Sequence, residues 1–120
     1  MPRMVPSQTG QEHSSQLLKG VLDMCLLALV AEQPTYGYEM ARKLEERGLH
    51  LASEGSIYPL LSRLQRQGLV EGYLVESGGG PARKYYRLAA AGTLTLSAWI
   101  SDWNALAAGV NGVINGARHD

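Results

Sequence analysis

The sequence contains few of the residues on which several classes of protein depend. Among its 120 residues there is one cysteine, no phenylalanine, and only 18% charged side chains. One cysteine cannot form an internal disulfide, and the apolar neighbours of Cys25 favour a buried thiol over a reactive one. Its 11 basic residues are balanced by 11 acidic ones, so the overall basic excess typical of nucleic-acid-binding proteins is missing. Any surface for nucleic acid must therefore be local.

Long apolar runs are missing as well. The longest, Val21–Val30, has about half the length needed to cross a bilayer and contains Asp23. The first 16 residues are polar and lack the apolar segment of a secretory leader. With 45% apolar residues the chain can bury the core of one small domain. We therefore expect one cytoplasmic domain that does not associate with a membrane.

The pattern of reactive side chains disfavours an enzyme. The three histidines, His13, His50 and His119, are scattered and form no metal-ligand spacing with Cys25. The stretch SGGGPARK lacks the final Gly-Lys-Ser/Thr of a phosphate-binding loop and leads into a predicted strand, whereas such a loop leads into a helix. We expect no catalytic residue, no metal and no cofactor.

Periodicity and turn residues predict three helices, a hairpin and a long fourth helix. The apolar spacing predicts helices over 15–32, 36–47 and 54–67, with Thr35 as the N-cap of the second. Strands over 69–77 and 82–89 flank a glycine turn. This mostly α fold with a small β-hairpin (α+β) has the element order of a winged helix-turn-helix. The predicted parts are a disordered arm 1–14, a winged domain 15–89, a dimerisation helix 90–115 and a tail 116–120.

The third predicted helix, EGSIYPLLSRLQRQGLV, has two different faces. Ile57, Leu61 and Leu64 recur at helical spacing and should face the core. The opposite face carries hydroxyls, a ring and two arginines, which suit DNA phosphates and base edges. An ordinary solvated face is the alternative. The predicted DNA-binding residues of this helix are Ser56, Tyr58, Pro59, Ser62, Arg63 and Arg66.

The predicted hairpin has the composition of a wing that touches DNA. Three glycines, among them Gly79, form its tip, and glycine allows close approach of the backbone to a phosphate. Arg83 and Lys84 follow directly and supply paired positive charges. At the start of the second helix, the hydroxyl of Tyr36 is a further candidate donor to a phosphate. A solvated hairpin with a basic end is the alternative.

The fourth predicted helix repeats apolar residues in heptads. Leu96, Trp103 and Val110 are seven residues apart, and so is a second series offset by three residues. One small domain leaves little surface to cover such a stripe, which predicts a homodimer; packing on its own domain is the alternative. The predicted interface comprises Leu18, Leu22, Leu96, Trp99, Trp103, Leu106, Val110 and Val113.

Three stretches resemble one known family. YGYEMARKLEERG, EGSIYPLLSRLQRQGLV and GGGPARKYYRLAAAG are similar to the motifs of the PadR family of bacterial transcriptional regulators, over about Leu17 to Trp103. The resemblance implies a homodimeric winged-helix repressor of the short subfamily with one C-terminal helix. It also implies that Trp103, with Trp99 nearby, stacks on planar aromatic effectors at the dimer centre. Interface core is the alternative role for Trp103.

These patterns lead to one function and two alternatives. The predicted function is a nucleoid-associated repressor that binds a palindromic operator in double-stranded DNA as a homodimer and is released by a small-molecule effector. The first alternative is a winged-helix protein–protein interaction module without DNA binding, which the zero net charge favours. The second is a multidrug-sensing pore protein.

Overall fold

The computed structural model describes the backbone of residues 6–50 and 54–118, and the side chains of residues 13, 14, 16–50 and 54–118. Its winged helix-turn-helix architecture confirms the predicted fold class. None of its described helices has the length and apolar character needed to span a membrane. The elements are α1 (Pro6–Glu32), β1 (Thr35–Tyr36), α2 (Gly37–Glu46), a 3₁₀ turn (Glu54–Ser56), α3 (Tyr58–Arg66), β2 (Val70–Val75), β3 (Arg83–Leu88) and α4 (Ala90–Arg118).

The first helix is longer than the sequence predicts. It begins at Pro6 and not at Ser15, so the prediction of a disordered arm is wrong for residues 6–14; residues 1–5 lie outside the described part. Proline suits the first turn, where its missing N–H would have no helical partner. His13 and Leu17 are exposed. The sequence of residues 6–14 shows no apolar period, so it carries no signal of an amphipathic helix.

A third strand joins the predicted hairpin. The antiparallel sheet has the order β1-β3-β2, with Thr35 opposite Tyr86 and Tyr36 opposite Tyr85. The prediction of Thr35 as an N-cap is therefore wrong, because pairing with β3 holds this residue in a strand. Tyr36 takes the N-cap position in extended conformation. Thr35 is buried, and its hydroxyl has no hydrogen-bond partner within the described residues.

Helices α2 and α3 each end one residue before the predicted position. Gly48 and Gly68 follow the last residues of α2 and α3 with φ angles of 99° and 76°, which glycine adopts without steric strain. Helix α3 starts at Tyr58, after the 3₁₀ turn, and Pro59 lies in its first turn. Its missing N–H therefore costs no helical hydrogen bond.

The core lies between the three helices of the winged domain, the sheet and the base of α4. Helix α1 packs on α3, β3 and α4. At Gly92 the backbone of α4 comes so close to the sheet that a Cβ atom would lie 2.1 Å from the carbonyl oxygen of Leu69. Cys25 is half-buried, and burial, followed by the nearby carboxylate of Asp23, raises the pKa of its thiol. The largest fully buried side chains are Leu26, Leu27, Met40, Ile57, Leu61, Leu64 and Val70.

Candidate nucleic-acid interface

The exposed face of α3 has a centre and two flanks. Pro59, Ser62 and Arg66 are exposed at its centre, opposite the buried Leu61 and Leu64. Ser56 is exposed in the preceding turn. The two remaining predicted residues lie on opposite flanks of the helix. Tyr58 faces the wing, where it lines a concave surface with Arg83 and Lys84, whereas Arg63 faces α1.

Tyr58 is held in place by a carboxylate that the sequence analysis did not include. Its hydroxyl donates a 2.6 Å hydrogen bond to Oε1 of Glu54. This bond, followed by partial burial, raises the pKa of Tyr58 to about 12. Gly37 makes room for the ring, since a Cβ atom there would lie 2.6 Å from it. The hydroxyl has a single proton, so it can donate a hydrogen bond to a phosphate oxygen only after its bond to Glu54 breaks.

Arg83 and Lys84 carry charges that no carboxylate among the described residues balances. Within the described ranges, no acidic side chain lies at ion-pair distance from either of them. Arg83 Nη1 donates a 3.0 Å hydrogen bond to the Tyr36 hydroxyl, and the guanidinium lies 4.9 Å from the centre of that ring. The Lys84 ammonium lies 5.5 Å from the ring centre of Tyr86. Aromatic contacts orient these cations without neutralising them.

These side chains form a basic, hydroxyl-rich hollow of about 430 Å³, here called the wing cradle. Helix α2 begins in it, which adds the positive end of a helix dipole. Tyr38 also lines it, with 57% of its surface exposed and its ring 6.5 Å from that of Tyr36. Such a surface suits an anion with several oxygens. The residues lining the wing cradle are Tyr36, Gly37, Tyr38, Tyr58, Arg83, Lys84 and Tyr86.

The tip of the wing is a tight turn that requires glycine. Gly79 has a φ of 82°, a conformation that other residues rarely adopt. The backbone N–H of Gly80 donates to the carbonyl of Ser77 at 3.0 Å, and the Ser77 hydroxyl donates to the carbonyl of Pro81 at 2.6 Å. These hydrogen bonds stabilise the exposed turn that precedes Arg83.

On the other flank of α3, Arg63 Nη2 lies 3.7 Å from Oδ2 of Asp23 on α1. The sequence analysis did not connect these two residues, because forty positions separate them. By contrast, Arg66 has no ion-pair partner in the part of the chain that the structure describes. Arg87, which follows Arg83 and Lys84 on β3, lies 3.4 Å from the carboxylate of Glu71.

The structure divides the residues predicted for a dimer interface. Leu22 and Leu96 are buried in the core of the chain itself, so their side chains are not available to a partner. Leu18 and Trp99 are partly buried against that core. The exposed members are Trp103, Leu106, Val110 and Val113, accompanied by Ile100 and Ile114, which the heptad pattern did not include.

Trp99 and Trp103 line a groove of about 320 Å³ between α1 and α4, here called the tryptophan groove. Asp23 of α1 and Asp102 of α4 each contribute a carboxylate to its lining. Within the residues described, no three His, Cys, Asp or Glu side chains are arranged to hold a metal ion. The remaining lining residues are Gly20, Val21, Met24 and Leu106.

Comparison with known proteins identifies the family. The model of the transcriptional regulator PadR-like family matches residues 26–98, more than half of the chain. The chain belongs to this family. A PadR-like regulator from Bacillus cereus is 42% identical, with a TM-score of 0.73 over 82% of this chain and 96% of that one. A PadR family regulator from Eggerthella lenta is 29% identical, with a TM-score of 0.82 over 93% and 97%.

A structure of Bacillus subtilis PadR in complex with operator DNA is also similar. It is 26% identical, with a TM-score of 0.62, and the match covers 67% of this chain and 46% of that one. Family membership confirms the resemblance found in the sequence. The chain is a transcriptional regulator with a winged helix-turn-helix, and not an enzyme.

Proposed function

We propose that the chain is a homodimeric repressor that binds a palindromic operator, with α3 in the major groove and the wing on the flanking backbone. The wing cradle is the observation that carries this proposal. Its two cations have no ion-pair partner among the residues that the structure describes, and it lies beside the exposed face of α3. The similarity to B. subtilis PadR, whose structure contains operator DNA, supports the same mode of binding. Binding to chromosomal DNA would also associate the protein with the nucleoid.

The contacts divide between backbone and bases. Arg83 and Lys84 bind phosphates, and Tyr36 assists because its hydroxyl accepts from Arg83 and keeps its own proton to donate. At the centre of the α3 face, Ser62 and Arg66 meet the groove wall. Arg63 is the candidate for a base contact, since an arginine can donate two parallel hydrogen bonds to guanine.

Dimerisation uses the exposed apolar residues in the second half of α4, here called the distal stripe: Trp103, Leu106, Val110 and Val113. Leu106 and Val113 are 61% and 76% exposed in the single chain, an arrangement typical of an interface. A second chain covers this stripe and sets the distance between the two copies of α3. Half-sites in the operator are then about one helical turn apart.

The wing contact is tested by changing Arg83 and Lys84 to alanine together. Each phosphate contact contributes about 0.9 to the slope of log affinity against log salt, and the dimer loses four such contacts, so the slope should flatten by about 3.6. Binding to operator and to random duplex DNA should weaken alike. The measurement is fluorescence anisotropy on both duplexes over a salt series.

The matched control changes Arg42 and Arg47 to alanine. It removes the same number of positive charges, but from cations that carboxylates of Glu39, Glu46 and Glu32 already balance. Its salt slope should equal that of the wild type. An unchanged slope in the wing variant would contradict a wing contact with DNA.

The tryptophan groove supports a second proposed role, the binding of an effector. Two indole rings offer stacking surfaces, and the carboxylates of Asp23 and Asp102 favour a planar aromatic ligand with a positive charge. A ligand placed between α1 and α4 would shift the two copies of α3 relative to each other and so release the operator.

Trp103→Ala separates the two roles of this tryptophan, because Trp99 remains as a fluorescent reporter. If Trp103 is a stacking platform, planar cationic compounds should quench wild-type fluorescence but not that of the variant, while ultracentrifugation still shows a dimer. If dimer and quenching are lost together, Trp103 is interface core. No quenching of the wild-type protein by a panel of such compounds would contradict an effector site of this type.

A further inference from the structure

We infer that Asp23 is a positioning residue for sequence readout, because its carboxylate orients Arg63 for a base contact. This inference rests on the proposed DNA-binding function. It concerns a side chain on α1, outside the helix-turn-helix and the wing.

Both oxygens of the Asp23 carboxylate are engaged. Oδ1 accepts a 2.8 Å hydrogen bond from the backbone N–H of Met24, which ties the group to α1. Oδ2 faces Arg63 Nη2 at 3.7 Å. This distance is too long for a hydrogen bond, so the carboxylate attracts and orients the guanidinium without fixing its position. With Nη2 turned toward α1, the other N–H groups of the guanidinium are left for DNA.

Such guidance matters because an arginine loses much conformational freedom when it forms two parallel bonds to one base edge. A side chain already restricted in the free protein loses less on binding. The Arg63 side chain is 49% exposed and that of Asp23 is 29% exposed, so the pair is open to solvent on one side. The guanidinium is therefore oriented by Asp23 and still accessible.

Arg66 offers the comparison on the same helix. It is exposed one turn further along, and within the described ranges no carboxylate lies at ion-pair distance from it. An arginine that no carboxylate orients can still bind a phosphate, because phosphate oxygens accept hydrogen bonds from many directions. Asp23 thus gives two arginines of one helix different tasks, with Arg63 on a base and Arg66 on the backbone.

The charge of Asp23 adds a second contribution. A carboxylate beside the DNA-facing side of α3 repels phosphates of any sequence. This repulsion weakens binding to operator and random DNA alike, so it leaves the ratio of the two affinities unchanged. The ratio therefore reports the orientation of Arg63.

The experiment is selection of binding sites from a random duplex library, followed by affinity measurements on the selected operator and on random DNA. The variants are Asp23→Asn, which keeps the shape and removes the charge, and Arg63→Ala. Glu32→Gln is the matched control, since it removes another carboxylate of α1, one that pairs with Arg47 and not with α3. Asp23→Asn and Arg63→Ala should lose preference at the same base position of each half-site, and Glu32→Gln should keep it.

For Asp23→Asn, the ratio of operator to random affinity should fall about tenfold, the size of one good base contact. Affinity for random DNA should not decrease. In an Arg63→Ala background, adding Asp23→Asn should leave the ratio unchanged, since the group that Asp23 orients is gone. Arg63→Lys keeps the positive charge but lacks the two parallel N–H donors of a guanidinium, so it should lose the same base preference.

Two results would overturn the inference. One is an Asp23→Asn protein that selects the wild-type site with an unchanged ratio. The other is an Asp23→Asn effect that persists in the Arg63→Ala background, which would make Asp23 a stability or bulk-charge residue. Circular dichroism confirms that each variant is folded, and Arg63→Lys tests the same contact if Asp23→Asn does not fold. If the wild-type protein selects no sequence, the proposed function itself fails.

Discussion

The two halves of α4 carry one apolar heptad pattern in two different environments. In the first half Leu96 is 9% exposed, whereas in the second half Leu106 and Val113 are 61% and 76% exposed. The chemical pattern is the same on both sides of Trp99. A heptad pattern therefore shows which side of a helix is apolar, but not whether its own chain or another covers that side.

The difference has a geometrical origin. Near its N-terminus, α4 lies against the backbone of Leu69, which is possible because Gly92 has no Cβ atom. Helix α4 also packs against α1. Beyond the tryptophan groove, no described element of the chain covers the apolar stripe. The first half thus belongs to the winged domain, and the second half is the surface that we propose for a partner.

The largest effect is expected from a negative charge introduced into the distal stripe. We expect Leu106→Glu to give a folded monomer, because the core of the winged domain does not include Leu106 and a buried unpaired carboxylate disfavours the dimer. Operator affinity should fall about 10²–10⁴-fold, since binding of the second half-site is no longer intramolecular. Analytical ultracentrifugation and anisotropy provide the two measurements.

Asn104→Glu is the control for Leu106→Glu. It adds the same charge two residues away, on the opposite side of α4, and should leave both the dimer and operator affinity unchanged. A Leu106→Glu protein that stays dimeric and binds operator normally would show that the distal stripe is not the interface. The proposal for this part of the chain would then have to be withdrawn.

A smaller effect, on the free energy of unfolding, is expected from adding one methyl group to either half of α4. In Gly92→Ala the new Cβ meets the carbonyl oxygen of Leu69 and a methyl carbon of Leu88. Overpacking of this kind lowers the free energy of unfolding by about 1–3 kcal/mol. Urea denaturation at fixed protein concentration measures the change, because a dimer makes stability depend on concentration.

Gly109→Ala is the counterpart in the distal half, where a Cβ atom has no neighbour within 4 Å in the described chain. Alanine favours a helix interior by about 0.5–1 kcal/mol over glycine, so a small stabilisation is expected. If both variants changed stability alike, the two halves of α4 would not differ in packing as proposed. If Gly109→Ala weakened the dimer instead, the partner chain would approach closely at that glycine.

Much of the architecture was predictable because local chemistry decides it. Gly48 and Gly68 end their helices through backbone conformation, and Pro59 can only sit where no helical N–H is required. Tyr85 and Tyr86 alternate across β3, with Tyr86 facing the core. In each case one residue and its immediate neighbours carry the information.

Two parts of the fold were predicted incorrectly, for opposite reasons. Residues from Pro6 onward are helical, but their sequence shows no apolar period from which a helix could be predicted. Thr35 has the chemistry of an N-cap but lies in a strand, since its partner Tyr86 is distant in sequence. Local propensity is overridden wherever a tertiary contact competes with it.

The candidate site shows the same division. The types of residue that suit DNA were evident in the order of the chain: an exposed hydroxyl-rich helix face, a glycine tip and a pair of cations. The partner of Arg63 was not evident, because Asp23 meets it only when α1 packs on α3. Glu54 lies only four residues from Tyr58, so its spacing was a usable signal that the sequence analysis missed.

By itself, the sequence determined the order of helices and strands, the apolar faces, the turns at glycine and the family, because each follows from short-range patterns. Only the tertiary structure decided which cations stay unneutralised, which arginine is guided by a carboxylate, and where the α4 stripe leaves the core. Those properties depend on distances between residues far apart in the chain. Charge balance illustrates the point: equal numbers of acids and bases conceal a local surface where Arg83 and Lys84 have no acidic partner among the described residues.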